Sequence, residues 1–524
     1  MTTAEPSGSE RVRLAELVAA LSLGVDLGFG QPMEHVLRQC VIALELADRL
    51  GLDDDERAVV YYTALLVNVG CHSDAHEQAK WFGDDIAMKS TKYDHDPHSV
   101  RGALAMVSLV GAGNPPLHRV RVGLDFALYG RRDVDGMIAQ HSALARRLAQ
   151  ELGLSAAVQD AVGASYEQWD GKGWPGERAG GDVPAAARIT QLAEYVEVAH
   201  RIGGVDAAVE LADKRAGSQF DPELSSLLCT DADAVLGPVD AVATWDHVIG
   251  SEPALGVFLG PEEFDAALLA IADFVDLKSP YTLGHARNVS RIAADAGTRL
   301  GLDDAEVDTL RRAGLVHDLG RLGVSNTIWD KPGPLGVGEW ERIRMHPYLT
   351  QRMLRQSSAL AGLGAIAAQH RERLDGSGYP AGLSGAALTQ PARILAVADA
   401  YQSMRELRPY RAALSVEEAE RELRRDVRDG RLDGDAVDAV LAAAGHTVGR
   451  RREGPAGLTA REIDVLRLLA RGSSSREIAK ALVISPKTVR NHIEHIYTKI
   501  GATNRVTASL FAVQHGLIPD ASWG

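Results

Sequence analysis

Six residues in the second half of the chain could together hold metal: His285, His317, Asp318, His346, His370 and Asp399. Imidazoles mixed with carboxylates suit Mn, Fe, Zn or Ni better than Ca. His317 and Asp318 are adjacent, so their side chains cannot share one direction along a helix and would splay around an ion. Asp318 has two oxygens and can bridge two ions. A pair of ions about 3.5–4 Å apart can activate water and stabilise a phosphoryl leaving oxygen. A single histidine is more often a surface or hydrogen-bonded core residue. The whole set argues the other way.

A second chemistry-bearing group lies near the C-terminal end. Lys487, Thr488, Arg490, Asn491, Glu494 and Lys499 recur on one predicted helix. Arginine can pair with guanine, asparagine with adenine, and glutamate with the cytosine amine. Lysine and threonine suit phosphates, which fix register without reading sequence.

Apolar residues recur at helical spacing nearly throughout, as in Val36, Leu37, Cys40, Val41, Leu44 and Ala47. Sustained alternation is scarce, so the chain is expected to be all-α. It also repeats itself. WDGKGWPGE at Trp169 matches LDGSGYPAG at Leu374, and AARITQLAEY at Ala186 matches PARILAVADA at Pro391. His35 to Asn68 and His285 to Asp318 both span 33 residues. His141 to Asp170 and His346 to Asp375 both span 29, and Asp170 to Glu194 and Asp375 to Asp399 both span 24. One interval differs: Asn68 to His141 is 73, but Asp318 to His346 is 28. The first copy therefore carries 45 extra residues, placed within Cys71–Asp133 and read as loop-and-helix elaboration.

The 524 residues are 45% hydrophobic and 24% charged, with a mean hydropathy of -0.10. At about 150 residues per domain that length predicts three or four domains, and the composition excludes bulk disorder. No stretch approaches the roughly 18–20 apolar residues of a membrane helix. MTTAEPSGSE lacks the basic and apolar regions of a signal peptide, and the chain reads as cytoplasmic. Cys40, Cys71 and Cys229 stand too far apart for a CxxC zinc site and form no disulfide framework. The net charge is -15, but Pro455–Gly524 holds 9 Lys and Arg against 5 Asp and Glu, a net of +4. A small basic module on an acidic body suggests a local DNA contact. The expected domains are 14–236, 261–445 and 455–520, with linkers around Gly237–Pro253 and at HTVGRRREGPAG, whose Arg450, Arg451 and Arg452 read as solvated charge.

YTLGHARNV, LVHDLGRLGV, DKPGPL, the HP at His346, HRERLDGSGYPAGL and ARILAVADAYQSMRELRPYR resemble the HD-GYP family in order and spacing, over about 180 residues. The resemblance implies an all-helical, metal-dependent phosphodiesterase, the best-known substrate of the family being cyclic di-GMP. It implies that His285, His317, Asp318 and Asp399 hold one metal, Mn or Fe, and that Asp318 bridges to a second supported by His346 and His370. It implies that Tyr379 belongs to the GYP loop and that Arg408 and Arg411 face substrate phosphate, as guanidinium suits. Asp318 and Arg321 are the catalytic candidates. Three positions depart from the family pattern. Arg371 stands for a second-metal ligand, and an arginine cannot ligate. Arg321 stands for a lysine, keeping the charge. Gln402 stands for an aspartate and cannot move protons at neutral pH. In the first copy the HD pair is Val67-Asn68, His370 becomes Ser165 and Asp399 becomes Glu194. That copy is expected to have lost the chemistry and to serve packing or dimerisation, with a ligand-sensing pocket as the alternative.

Thr459 and Ser474 each open a capping box, Ser485 caps a third helix with Pro486 at its first position, Gly501 ends it, and Asn504 starts a fourth. Short helices joined by a tight turn make a helix-turn-helix, whose second helix enters the major groove. LTAREIDVLRLLARGSSSREIAKALVISPKTVRNHIEHIYTKIGATNR resembles the LuxR-type DNA-binding domain over roughly 60 residues. By that resemblance Arg490, Asn491 and Glu494 face bases, and Lys487, Thr488 and Lys499 face the backbone. The combined expectation is two tandem HD-like domains followed by a four-helix DNA-binding domain: a DNA-binding, homodimeric transcription regulator that hydrolyses a cyclic dinucleotide or related phosphodiester using one or two divalent ions, with Arg371 as a substrate contact. The alternative is a pseudo-enzyme that senses a nucleotide or metal without turnover. An HD-type hydrolase placed on DNA by its tail stays open beside both.

Overall fold

The computed structural model describes residues 12–94, 107–112, 115–126, 128, 131–253, 256–446, 455–482 and 484–517. Arg450, Arg451 and Arg452 lie outside them. The fold is all-α. Among the described residues the only sheet is a pair of two-residue strands, Val12–Arg13 and Phe258–Leu259, antiparallel with Val12 opposite Leu259. The described residues up to His446 form one compact unit, and those from Pro455 onward form another.

The repeat persists in local physics. The helices His35–Arg49 and His285–Arg299 both follow a residue in the left-handed region, Glu34 at φ 80° and Gly284 at φ 73°. In each, a buried carboxylate from the preceding helix accepts the amide of the second helical residue: Asp26 from Val36 at 3.0 Å, Asp276 from Ala286 at 2.9 Å. Burial pushes both carboxyls up to about 7. The next helices, Asp54–Leu66 and Asp304–Val316, open with the same capping box, Asp53 with Glu56 and Asp303 with Glu306. A 3₁₀ turn follows in each copy, Val69–His72 and Leu319–Gly323. A Cβ on Gly70 would stand 2.1 Å from the His141 carbonyl oxygen, and one on Gly320 1.9 Å from that of His346. Only glycine lets this turn press against the backbone of the next histidine. The two GYP-like loops each hang on a buried glutamate. Glu167 accepts the amides of Gly176 and Glu177, and Glu372 those of Ala381 and Leu383, at 2.8–3.1 Å.

The helix Leu14–Gly28 (LAELVAALSLGVDLG) has almost no polar face and is buried along nearly its whole length. Its Gly24 lies against Leu322 and Met353 of the second copy. Apolar residues of both copies therefore join one continuous core, including Leu37, Leu65, Ile271, Leu322 and Leu354. The insertion contributes the helices Ala75–Phe82, Asp85–Ser90 and Pro116–Asp125 and the turn Thr91–Tyr93. Among the described residues no helix is long and apolar enough to cross a membrane.

The C-terminal unit holds the helices Ala460–Ala470, Ser475–Leu482, Pro486–Ile500 and Arg505–Gln514. The caps fall where the sequence puts them: Thr459 with Glu462, Ser474 with Glu477, Ser485 on Thr488, Asn504 on Thr507, and Gly501 at φ 64°. Leu458, Leu466, Ile478, Val489, Ile496 and Ala508 form its core.

Candidate metal centre and nucleic-acid interface

The six predicted ligands converge. The Nδ1 atoms of His317, His346 and His370 each donate to a carbonyl three residues back, on Gly314, Ile343 and Ala367. Each ring is thereby fixed with its Nε2 lone pair pointing inward. Asp318 faces two histidine pairs. Its Oδ2 lies 3.7 and 3.6 Å from His285 and His317, and its Oδ1 lies 3.5 and 3.7 Å from His346 and His370. Asp399 Oδ1 lies 3.4 Å from His285 and 3.9 Å from His317. All six side chains are essentially closed to solvent.

These residues fit divalent ions. His285 Nε2, His317 Nε2, Asp318 Oδ1 and Asp399 Oδ2 are buried with no hydrogen-bond partner. The Nε2 atoms of His346 and His370 stand 3.1 Å apart, both as acceptors, an arrangement that calls for a cation between them. Burial holds His370 well below the ordinary histidine range and His346 down at about 3, so both rings are neutral. Burial works against Asp318 and Asp399, yet His317 and Arg321 around the first and Arg371 beside the second keep both carboxyls ionised. Two groups of three donors, His285–His317–Asp318 and Asp318–His346–His370, share Asp318.

A cleft of about 510 Å³ opens beside the centre, lined by Arg321, Arg371, Arg408, Trp329, Tyr379 and Tyr410 among others. Arg321 donates to Asp318 Oδ2 at 3.0 Å, and its guanidinium lies 4.1 Å above the Trp329 ring. Trp329 in turn meets His346 edge-on at 5.3 Å. Arg371 donates to Asp399 Oδ1 at 3.3 Å, so its charge rests on a carboxylate beside the first group. Arg411 does not line the cleft. Its guanidinium staples the turn after the Gln390–Arg405 helix by donating to the carbonyls of Ser403, Met404, Glu406 and Ala412.

Glu406 is a residue that the sequence reasoning missed. Its carboxylate accepts from His285 Nδ1 at 3.0 Å, Arg408 Nη2 at 2.6 Å and Gln402 Nε2 at 2.8 Å. The repeat carries the explanation. In the first copy His35 Nδ1 meets Glu197 at 2.5 Å, and Arg201 one turn later pairs with Glu197. Glu197 and Arg201 correspond to Gln402 and Glu406. The second copy carries the carboxylate four residues later, on the extended residue that follows the Gln390–Arg405 helix. Gln402 is thus no gap in the shell around His285, since its amide steadies the carboxylate that replaces it.

The first copy holds a cation of its own. Lys92, on the turn at the end of the insertion's second helix, places its ammonium 2.9 Å from Asn68 Oδ1 and 2.8 Å from Glu194 Oε1. Asn68 and Glu194 are the counterparts of Asp318 and Asp399. The rings of Phe29, Tyr93, Tyr166 and Tyr195 surround the ammonium at 5.4–5.7 Å. His141 is engaged elsewhere, with Nδ1 3.4 Å from Cys71 Sγ and Nε2 2.5 Å from Asp74. The insertion is therefore more than elaboration, because it carries the charge that this site needs.

In the C-terminal unit, Lys487, Arg490, Asn491 and Glu494 lie exposed along one face of the Pro486–Ile500 helix, and Thr488 is half-buried beside its cap. Lys499 is tied to Glu462 at 2.9 Å and to the Gly457 carbonyl at 3.2 Å. It joins the third helix to the first.

Two outcomes follow from these contacts. Glu406→Gln weakens Mn(II) binding roughly 10–100-fold, as loss of a carboxylate behind a ligating histidine does, and adding Gln402→Glu recovers most of it; Mn(II) titration followed by electron paramagnetic resonance reads both. Lys92→Met leaves the buried Glu194 without its cation and costs about 3 kcal/mol in denaturant unfolding, and Lys92→Met with Glu194→Gln costs less than Lys92→Met alone.

The model of the HD domain matches residues 133–224 and 270–436, and that of the luxR family of bacterial regulatory proteins matches 456–512. The chain is 31% identical over 410 residues to the 3'3'-cGAMP-specific phosphodiesterase 3 of Vibrio cholerae, covering 78% of this chain and 89% of that one. It is 34% identical over 177 residues to the cyclic di-GMP phosphodiesterase response regulator RpfG of Xanthomonas campestris, covering 33% and 46%. The crystal structure of the cyclic GMP-AMP specific phosphodiesterase V-cGAP3 from V. cholerae superposes with a TM-score of 0.59 at 27% identity, covering 83% of this chain and 98% of that one. Six converging donors beneath an arginine-lined cleft, the matched relatives and the basic helical unit at the C-terminal end lead to one conclusion: the chain belongs to the HD-GYP family of metal-dependent phosphodiesterases and joins that body to a LuxR-type DNA-binding domain, as a transcription regulator.

Proposed function

We propose that the second repeat hydrolyses a cyclic dinucleotide and that the C-terminal unit binds duplex DNA as part of a homodimer. The observation that supports the reaction best is the joint placement of the donor cluster and the cleft. Buried, unpartnered Nε2 and carboxylate atoms sit beneath a cavity that offers Arg321, Arg371 and Arg408 to phosphates and Trp329, Tyr379 and Tyr410 to bases. A cyclic dinucleotide carries two phosphates and two bases, which suits that lining.

His285, His317, Asp318 and Asp399 would hold one ion, Mn or Fe, and Asp318, His346 and His370 a second. When bound, such an ion supplies Lewis acidity to activate water and to stabilise a phosphoryl oxygen. The rest of the work falls to the chain. Arg321 is held by Asp318 and by the Trp329 face, so its remaining donors are oriented toward the cleft, where they offset charge at the leaving oxygen. Arg408 leans on Glu406 and the Tyr281 carbonyl and presents a fork suited to the second phosphate. Tyr379 stands edge-on to His346 at 6.2 Å, which brings a stacked base close to the donors. One observation favours a sensor without turnover: Arg371 donates to Asp399, a carboxylate that an ion would use.

Purified protein loaded with Mn or Fe is expected to cleave 3'3'-cGAMP or cyclic di-GMP, with turnover lost in Asp318→Ala. Metal bound without turnover in either protein overturns hydrolysis and leaves the sensor. On DNA, Arg490→Ala is expected to cost about 1–3 kcal/mol on the preferred site and little on random sequence, while Lys487→Ala weakens both and lowers the salt slope by about 1. Equal losses on specific and random DNA from Arg490→Ala, measured by titration at several salt concentrations, remove it from base reading.

A further inference from the structure

The cleft of the second repeat is braced by the first. Part of its wall, Ile328, Trp329 and Asp330, belongs to the segment Ser325–Asp330, which includes the short helix Asn326–Trp329. Asp85 of the insertion is fully buried against the start of that helix. Its Oδ1 accepts from Ser325 Oγ at 2.6 Å and from the Asn326 amide at 2.8 Å. Its Oδ2 faces Lys89 at 3.4 Å and Lys278 of the second repeat at 3.5 Å. The far end of the segment is gripped as well. His76 Nδ1 meets Asp330 Oδ2 at 2.8 Å, and Asp330 also accepts from Ser279 at 2.8 Å and Asn326 at 3.0 Å. Between these grips Thr327 Oγ1 donates to the Gly83 carbonyl.

The held segment carries Trp329, whose faces and edges meet Arg321 and His346. The path from Asp85 to the reacting centre is therefore short: a carboxylate fixes the start of one helical turn, the turn fixes an indole, and the indole fixes a guanidinium bonded to Asp318. A buried ion cluster adds little net stability over an apolar contact of the same size. What it adds is direction, because each oxygen of Asp85 has its own donors. The same insertion reaches the other way a few residues later, where Lys92 locks it into the first repeat's lysine-filled site. The stretch from His76 to Lys92 is anchored at that site and grips the segment that carries Trp329.

We propose that Asp85 and His76, from the insertion of the first repeat, are positioning residues for the reaction in the second repeat, holding the Ser325–Asp330 wall so that Trp329 and Arg321 face the substrate. This rests on the reading of the cleft as a cyclic dinucleotide site. The test uses the full-length, Mn(II)-loaded protein with 3'3'-cGAMP and cyclic di-GMP, and compares Asp85→Ala, Asp85→Asn and His76→Ala with Glu77→Ala, an exposed change on the same insertion helix. Steady-state kinetics, Mn(II) affinity and amide hydrogen exchange over residues 325–330 are measured. The expected result is kcat/KM lower by roughly tenfold in Asp85→Ala and His76→Ala, mostly through KM, with faster exchange at 325–330 and unchanged Mn(II) affinity. Asp85→Asn, which keeps the acceptor for Ser325 and Asn326 but removes the charge facing Lys89 and Lys278, recovers part of the loss. Kinetics like those of Glu77→Ala overturn the proposal whether or not exchange rises, and so does a loss that tracks falling Mn(II) affinity. If Asp85→Ala does not fold, His76→Ala and Asp85→Asn decide. If the wild-type protein cleaves neither dinucleotide, the proposed reaction falls by itself, and dinucleotide affinity takes the place of KM in the same comparison.

Discussion

A carboxylate closed off from water stays ionised only where positive charge or strong donors stand beside it, and the larger unit of this protein satisfies that demand twice in different ways. In the second repeat, Asp318 and Asp399 lie among four imidazoles, and those of His317, His346 and His370 have their Nε2 lone pairs turned inward. Arg321 and Arg371 each reach one carboxylate, but neither reaches the lone pairs, which leaves room for ions. In the first repeat the equivalent carboxylate belongs to Glu194, and the charge is the covalently attached ammonium of Lys92. The same helical frame thus supports a centre with donors open to an ion and one that already carries its cation.

The surroundings of each centre follow from that choice. An imidazole that ligates an ion must present one nitrogen and have the other held, and the frame supplies a carbonyl for His317, His346 and His370 and a carboxylate for His285. The carboxylate has no fixed address on its helix. It sits within the helix at Glu197 in the first copy and four positions later, just past the helix end at Glu406, in the second. In its new place it also touches Arg408, so the residue that steadies a ligand also steadies a cleft arginine. A single carboxylate there relates ion binding to the geometry offered to a phosphate.

Much of this was legible in the sequence because it depends on residue type and local spacing. The six donors and the capping boxes of the DNA-binding unit need only a helix and its period, and the matched intervals of 33, 29 and 24 residues show that one frame occurs twice. What was hidden depends on contacts between distant segments. Lys92 lies in an insertion with no counterpart in the second repeat, so no alignment of the copies could point to it. Arg411 and Lys499 are cations of the right type at the right positions, yet one faces backbone carbonyls and the other faces Glu462. Glu406 was within reach, since laying Glu197 and Arg201 over Gln402 and Glu406 shows a carboxylate and its neighbour exchanging turns.

The lysine also changes what the first repeat can be relied upon to do. A site that waits for a metal couples its order to metal supply and pH, because its ligands must lose protons before the ion enters. An ammonium attached to the chain needs neither, and it arrives with the insertion that carries it. The stretch from His76 to Lys92, which grips the Ser325–Asp330 segment, is therefore placed by folding alone. The first copy thus offers the second a fixed edge whose cation is part of the chain.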